Sequence, residues 1–447
     1  MHPPGRRLRI AFLSYRGKPH VGGQGVYTRH LTKALADLGH HVEVFSGQPY
    51  PIVDERVVRH ELPSLDIYND HYPMRFPWVG ELRSTADVVE VLAFSSGTFP
   101  EPLAFSLRAW QHLRNRVADF DVVHDNQSLG YGLLGIEAAG IPVLGTIHHP
   151  ITVDRRLELE HAPTRRQRFA KGRWYSFVDM QSRVATRLRR VITVSESSAA
   201  DIIADHGVER ERLDVVPVGV DQELFRPLDD VAPVPGRIIT TASADVTMKG
   251  LRYLLEALAK VRVERPDTHL VVIGRRKPGG TSDQTITALG LDDHVEFVSG
   301  VSDQRIVELY AEAELAVVPS LYEGFSLPAI EAMASGVPLI ATTGGALPEV
   351  VGADGDTAIC VPPGDAEALA AALGANLGRP ELRGSIGARG RRRVLDRWTW
   401  RHTADRTLPH YEAVMAEAAA GVPLRPPRAG GRRAELEERL VWRRVGR

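Results

Sequence analysis

The stretch SLYEGFSLPAIEA, residues 320 to 332, sets two carboxylates, Glu323 and Glu331, on either side of a glycine, an aromatic residue, a serine and a proline. Pro328 is best tolerated in the first turn of a helix, where its missing N–H would have had no intrahelical partner. A helix that opens near Pro328 and runs through AIEAMAS to Gly336 leaves Glu323 in the preceding loop and Glu331 in the opening turns. The two carboxylates then do not share a helical face; they bracket a helix N-terminus. Unpaired backbone N–H groups at Gly324, Phe325, Ser326 and Leu327 favour bound oxygens or anions. Carboxylates beside them accept hydrogen bonds from neutral hydroxyls such as those of sugars. The plainer alternative makes Glu331 a complement to the helix dipole and Glu323 a solvated loop residue.

Other groups with chemical potential are scattered. Lys249, in MKG, is a cation ahead of a helical pattern and, taken alone, a surface lysine. His148 ends GTIHH at the carboxyl end of an apolar run, with His149 as a rival; an isolated histidine there is commonly structural. Gly22, Gly23 and Gly25 form a loop before a helix, where backbone can approach a bound anion closely. No G-x-G-x-x-G occurs there and no Walker A sequence anywhere, which disfavours a dehydrogenase and a P-loop enzyme. The aspartate pairs of DFD at 119 and DGD at 354 read as chance loop triplets, so no metal site is expected.

Short apolar runs alternate with helix-length amphipathic segments along most of the chain, the pattern of parallel sheets built from βαβ units. LRIAFLS, HVEVFSG, DVVHDNQ, PVLGTIHH and VITVSES suffice for one sheet, and RIITTAS, HLVVIG, HVEFVSG, LAVVPS and VPLIATT for a second. At 447 residues two to three domains are expected, at about 150 residues each. Residues 215 to 237, dense in Pro, Gly and Asp, form the best linker. The predicted architecture is therefore α/β, with two doubly wound, Rossmann-like parallel-sheet domains facing across a cleft. The expected divisions are an N-terminal domain over 1–220, a C-terminal domain over 221–395, a closing helix over 396–420 and a basic tail over 421–447. Open sheets of this kind bind ligands at the carboxyl ends of their strands.

EGFSLPAIE resembles the E-x7-E motif of retaining GT-B glycosyltransferases of family 4. GGQGVYTRHL, TIHHP, VITVSESS, VVPVGVD, MKGLRYLLEAL and GGALPEVV follow in that family's order, and the resemblance covers roughly residues 8 to 418. It implies metal-independent transfer of a hexose-type sugar from a nucleotide diphosphate donor with retention. The same resemblance implies that the N-terminal domain is the acceptor side, that the C-terminal domain binds the nucleotide-sugar and that the closing helix packs back on the N-terminal domain. It also implies that Glu323 contacts hydroxyls of the transferred sugar, Glu331 holds the ribose, and Gly324, Phe325, Ser326 and Leu327 line the donor. Gly22 and Gly23 would lie near the diphosphate, Lys249 would stabilise it, and His148 would sit near the transferred sugar. The chain departs from the family at Ser243, where a second diphosphate cation, an arginine, is usual, and at Val218-Gly219, where Asn-Gly is common. Two rivals stay open on these residues: a nucleotide-sugar epimerase of the same fold, and a catalytically weak nucleotide-binding protein. No cofactor is expected beyond the donor substrate.

Composition narrows the partners. Hydrophobic content of 43% and charged content of 25% are those of a globular chain, and a formal net charge of −1 leaves no overall footprint for nucleic acid. The single cysteine, Cys360, excludes an internal disulfide and a cysteine-cluster zinc site, and reads as a buried strand residue. No apolar run approaches the ~18 residues of a membrane span, and the chain is expected to be cytoplasmic. Between Arg155 and Arg190, however, eleven Arg or Lys face three Asp or Glu, with Trp174, Tyr175 and Phe177 among them. That stretch is either a solvated amphipathic helix or a face for acceptor or anionic membrane, reinforced by the basic tail. The acceptor class stays open among glycan, lipid and small metabolite.

Overall fold

Runs of Val, Ile, Leu and Phe that cannot be exposed on either side form the strands, and the intervening amphipathic segments cover them as crossover helices. The computed structural model describes residues 6–17, 23–68, 75–149, 151–160, 162–242 and 245–424. The described residues fold as two compact units: those within 6–194, 199–216 and 404–424 form the first, and those within 195–198 and 217–403 the second.

The first unit holds seven strands, β1 (Arg9–Ser14), β2 (His41–Ser46), β3 (Val58–Glu61), β4 (Val122–Asn126), β5 (Val143–Ile147), β6 (Arg190–Thr193) and β7 (Leu213–Val215). They lie in the order β3-β2-β1-β4-β5-β6-β7, every pair parallel. The second unit holds β8 (Arg237–Thr241), β9 (His269–Ile273), β10 (Val295–Val298), β11 (Leu315–Val318), β12 (Leu339–Thr342) and β13 (Ile359–Val361), in the order β10-β9-β8-β11-β12-β13, again all parallel. In each sheet the winding direction reverses between two central neighbours, β1 and β4 in the first and β8 and β11 in the second. These are the places where an open α/β sheet binds ligands.

All ten apolar runs form strands, and the expected α/β class with two Rossmann-like domains is observed. Three short strands, β3, β7 and β13, join them at or near sheet edges. Cys360 lies on β13 and is half-buried rather than buried, because an edge strand has one flank uncovered. The basic stretch is not one helix but three, Ile151–Glu160, Arg165–Trp174 and Phe177–Ala185. Thr164 starts the second, its hydroxyl accepting from the Gln167 N–H at 3.2 Å. Of the tail, residues 425–447 lie outside the described residues. Among the described residues no helix is long and apolar enough to cross a membrane.

The helix Trp400–Ala419 adds its residues from Ala404 onward to the first unit. Tyr411 is fully buried there, its hydroxyl 2.6 Å from Nδ1 of His124 on β4, while His124 Nε2 lies 2.7 Å from Thr146 Oγ1 on β5. Arg190 on β6 donates to Glu417 at 2.8 Å. Burial pushes the His124 imidazole down to about 3, so the ring is neutral and needs both partners. Tyr411→Phe leaves one ring nitrogen buried without a partner, a cost of about 1–3 kcal/mol. Calorimetry should show the unfolding midpoint falling by several degrees, and an unchanged midpoint would show that this bond contributes nothing.

Candidate active site

In the second unit the chemistry gathers on the loops that leave β8, β11 and β12. Lys249 ends a short 3-10 turn, Thr247–Lys249, in the crossover from β8. Gly250 follows at φ +66°, and a Cβ there would stand 1.9 Å from the Pro319 carbonyl oxygen, so only glycine lets the lysine turn approach the loop after β11 this closely. The Leu321 N–H donates to the Met248 carbonyl at 2.8 Å and seals the approach. As a result Lys249 Nζ lies 2.8 Å from Glu323 Oε1, which also accepts from the Ser320 hydroxyl at 2.7 Å. Both donors converge on one carboxylate oxygen, and among the described residues none takes Oε2. The Glu323 side chain is one-tenth exposed and Lys249 about one-third, so the pair sits at a partly open edge.

The Glu323 backbone is held from the other side by the loop after β12. The Ala346 N–H donates to its carbonyl at 2.9 Å, and Gly345, at φ +61°, approaches so closely that a Cβ would lie 2.4 Å from that oxygen. The helix that follows runs Leu327–Ala334 with Pro328 in its first turn. Ser326 is its N-cap at φ +101°, a strained value for a residue with a side chain, and its hydroxyl accepts from the Ala329 N–H at 3.4 Å. Ser195 and Ser198, which belong to this unit, both donate to the Gly324 carbonyl, at 2.6 and 3.1 Å. A trans peptide so anchored points the Phe325 N–H the opposite way. The N–H groups of Gly324 to Leu327 meet no backbone acceptor among the described residues. The Phe325 ring is buried edge-on against Trp398, 5.6 Å between centroids.

Glu331 lies one turn into this helix and half-buried. Burial pushes its carboxyl up to about 7, Asp303 adds repulsion, and a hydrogen bond from the Tyr310 hydroxyl partly offsets both. An acid raised from the usual range stabilises the ligand-free fold only while protonated. That contribution is complete below the unfolded value near 4.5 and is lost as pH rises through about 7. Glu331→Gln should therefore raise the melting temperature of the ligand-free protein by a few degrees at pH 8 and leave it nearly unchanged at pH 4.5. Equal shifts at the two pH values would contradict the raised carboxyl.

In the first unit the corresponding loops leave β1, β4 and β5. The crossover from β1 enters the helix Gly23–Asp37; Gly23 is its first residue, and a Cβ on it would meet nothing within 4 Å. Gly22 and Ser243 lie outside the described residues. His148 follows β5, its ring edge-on to Tyr27 at 4.4 Å and its Nε2 2.6 Å from Asn126 Oδ1. Burial pushes this imidazole down to about 4. The rival His149 lies 3.2 Å from Asp154 and half-exposed. The structure thus groups Lys249 with Glu323 and the Gly324–Leu327 backbone in one unit, and Gly23 and His148 belong to the other.

Two residues beside His148 went unremarked in the sequence. Asn126 ends β4, opposite Thr146, and Gln127 follows at φ +61°. Gln127 Oε1 accepts from the His148 N–H at 2.9 Å, and its Nε2 donates to the His149 carbonyl at 2.8 Å. The available signal was weak: two amide side chains closing the strand DVVHDNQ, next to the β1/β4 reversal. Of the aspartate pairs, Asp121 is bound by Arg6 and Arg9, and Asp354 accepts from the Cys360 N–H.

Two doubly wound parallel sheets with polar loops at both points of reversal are the architecture of the GT-B fold. Residues 21–224 match the model of Glycosyltransferase Family 4 and residues 230–393 that of Glycosyl transferases group 1. The chain is 50% identical over 414 residues to the MMP alpha-(1->4)-mannosyltransferase of Mycolicibacterium hassiacum, covering 92% of this chain and 100% of that one. It is 31% identical over 468 residues to the D-inositol 3-phosphate glycosyltransferase of Nocardia farcinica, over 98% and 96% of the two chains. Among solved structures, sucrose-phosphate synthase from Thermosynechococcus elongatus superposes with a TM-score of 0.69 at 24% identity, over 92% of this chain and 100% of the other, a likeness of fold. The chain belongs to the group 1, family 4 glycosyltransferases. It is a glycosyltransferase, of the hexosyl class, and the epimerase alternative falls away.

Proposed function

We propose that the protein transfers a mannosyl unit from a nucleotide diphosphate donor to a hydroxyl of a glycan acceptor, forming an α-1,4 bond with retention and without a metal. The observation that carries this reading is the 50% identity across the whole of the Mycolicibacterium hassiacum mannosyltransferase. In this reading Glu331 accepts from the ribose hydroxyls, the N–H groups of Gly324 to Leu327 line the donor, and the open Oε2 of Glu323 accepts from a mannose hydroxyl. As the bond from C1 to the phosphate oxygen breaks, negative charge grows on the leaving diphosphate, and Lys249 stabilises it. The acceptor oxygen bonds C1 on the same face, and its proton passes to the leaving phosphate oxygen. No side chain is then needed as a base.

Incubation with GDP-, UDP- and ADP-mannose and a mannoside acceptor, with NMR of the product, tests the reading. An α-1,4-mannosyl product should form with one donor and persist in EDTA. Glucosyl transfer alone, or activity lost to EDTA and restored by Mg²⁺, would overturn it. Lys249→Ala should lower kcat by about 10² to 10³, the usual effect of removing one transition-state donor. Near-normal turnover would sink the assigned role of the lysine loop.

One surface supports a second partner. The helix Arg165–Trp174 buries none of its residues, and Phe169, 72% exposed, stands among Arg165, Arg166 and Arg168. An exposed aromatic between cations suits an anionic membrane face. Reversing the three charges to Glu should weaken sedimentation with phosphatidylserine-containing vesicles while soluble transfer continues, whereas equal sedimentation of both proteins would leave the helix as merely solvated.

A further inference from the structure

The amide of Asn126 has its orientation dictated by its neighbours. Its Nδ2 lies 3.1 Å from the Gln24 carbonyl oxygen and 3.0 Å from Thr28 Oγ1, and that hydroxyl itself donates to the Gln24 carbonyl at 2.8 Å. Turning the amide over would press its oxygen against the Gln24 carbonyl, acceptor against acceptor. Nδ2 must therefore face Gln24, and Oδ1 must face His148 Nε2, 2.6 Å away. An amide oxygen only accepts, so the proton of the neutral imidazole sits on Nε2 and Nδ1 carries the lone pair. Among the described residues nothing bonds to Nδ1. The ring cannot drift, because Tyr27 packs edge-on against it and Gln127 grips the backbone on both sides of the His148–His149 peptide. Gln127 is itself held in the left-handed region at φ +61°, which costs a residue with a side chain roughly 1–3 kcal/mol and persists where surrounding contacts over-determine it.

We propose that Asn126 is a positioning residue for sugar transfer: it holds His148 as the Nε2–H tautomer and so presents Nδ1 as the acceptor for a substrate hydroxyl. This rests on the reading of His148 as a substrate contact. Only donors satisfy Nδ1 in this state, and hydroxyls are what a sugar supplies.

Two-bond ¹H–¹⁵N correlation spectra of ¹⁵N-histidine-labelled, ligand-free protein at pH 7.5, with His148 assigned from a His148→Gln sample, read the tautomer directly. The wild type should show Nε2–H and Asn126→Ala a mixture of the two tautomers. Asn126→Ala should lose about tenfold in kcat, the worth of one neutral hydrogen bond, with KM changed less. Thermal melts identify an Asn126→Ala protein that fails to fold, in which case the wild-type spectrum decides. A wild-type Nδ1–H tautomer overturns the proposal. So does an Asn126→Ala protein with the wild-type spectrum, or one with wild-type kcat while His148→Ala is impaired. A His148→Ala enzyme with normal turnover overturns instead the reading on which the proposal rests.

Discussion

The ion pair of Lys249 with Glu323 exists because β8 and β11 are parallel neighbours whose crossovers leave in opposite directions. One crossover turns back towards β9 and the other towards β12, so their first residues part and leave a gap at the carboxyl edge of the sheet. Gly250 lets the lysine turn close that gap to hydrogen-bonding distance of the loop after β11, and Gly345 supports the same loop from behind. The loop is thus clamped between two backbone contacts that no side chain would tolerate, and the strained Ser326 follows it as the cap of the next helix. The paired charged groups of this unit are consequently loop residues in sequence but are placed with the precision of the sheet.

The first unit solves a different problem at its own reversal point. There the carboxyl ends of β1, β4 and β5 bury polar side chains, among them Ser14, Thr28, His124, Asn126 and Thr146. Burying such groups is costly unless each finds a partner. The partners come from neighbouring strands and from the C-terminal helix, and they form a chain: Ser14 with Thr28, Thr28 with Asn126, Asn126 with His148. Satisfied networks of this kind rigidify a site, because each member loses a bond if any other turns.

How much of this the sequence disclosed follows from the same physics. Strands β1, β2, β4, β5, β6, β8, β9, β10, β11 and β12 announce themselves through apolar runs flanked by helical segments. β3, VRHE, is largely exposed at an edge and carries no such run, and β7 and β13 are three residues each. The arginine-rich stretch from Thr164 read as one helix because the break at 175–176, a tyrosine and a serine, carries no glycine or proline to mark it. Lys249, Glu323, Glu331 and His148 were nominated by motif order. Asn126 was not, since its role arises from the pairing of β4 with β5 and from a helix that begins a hundred residues earlier, relations that no local spacing encodes. The half-exposure of Cys360 was hidden for the same reason: edge position is a property of strand order.

The bond between His124 and Tyr411 spans 287 positions in sequence, and the whole second unit, residues 195–198 and 217–403, is threaded between its ends. On the ribosome, therefore, the first unit is translated first yet finishes last: its sheet has emerged in full while the helix that satisfies the buried imidazole is still unsynthesised. The intervening residues have time to fold on their own, and once compact they shorten the loop that must close, lowering the entropy of that final closure. A nascent chain stalled before residue 404 would present a finished inserted domain beside an unfinished host, with the face meant for the last helix still open to chaperones.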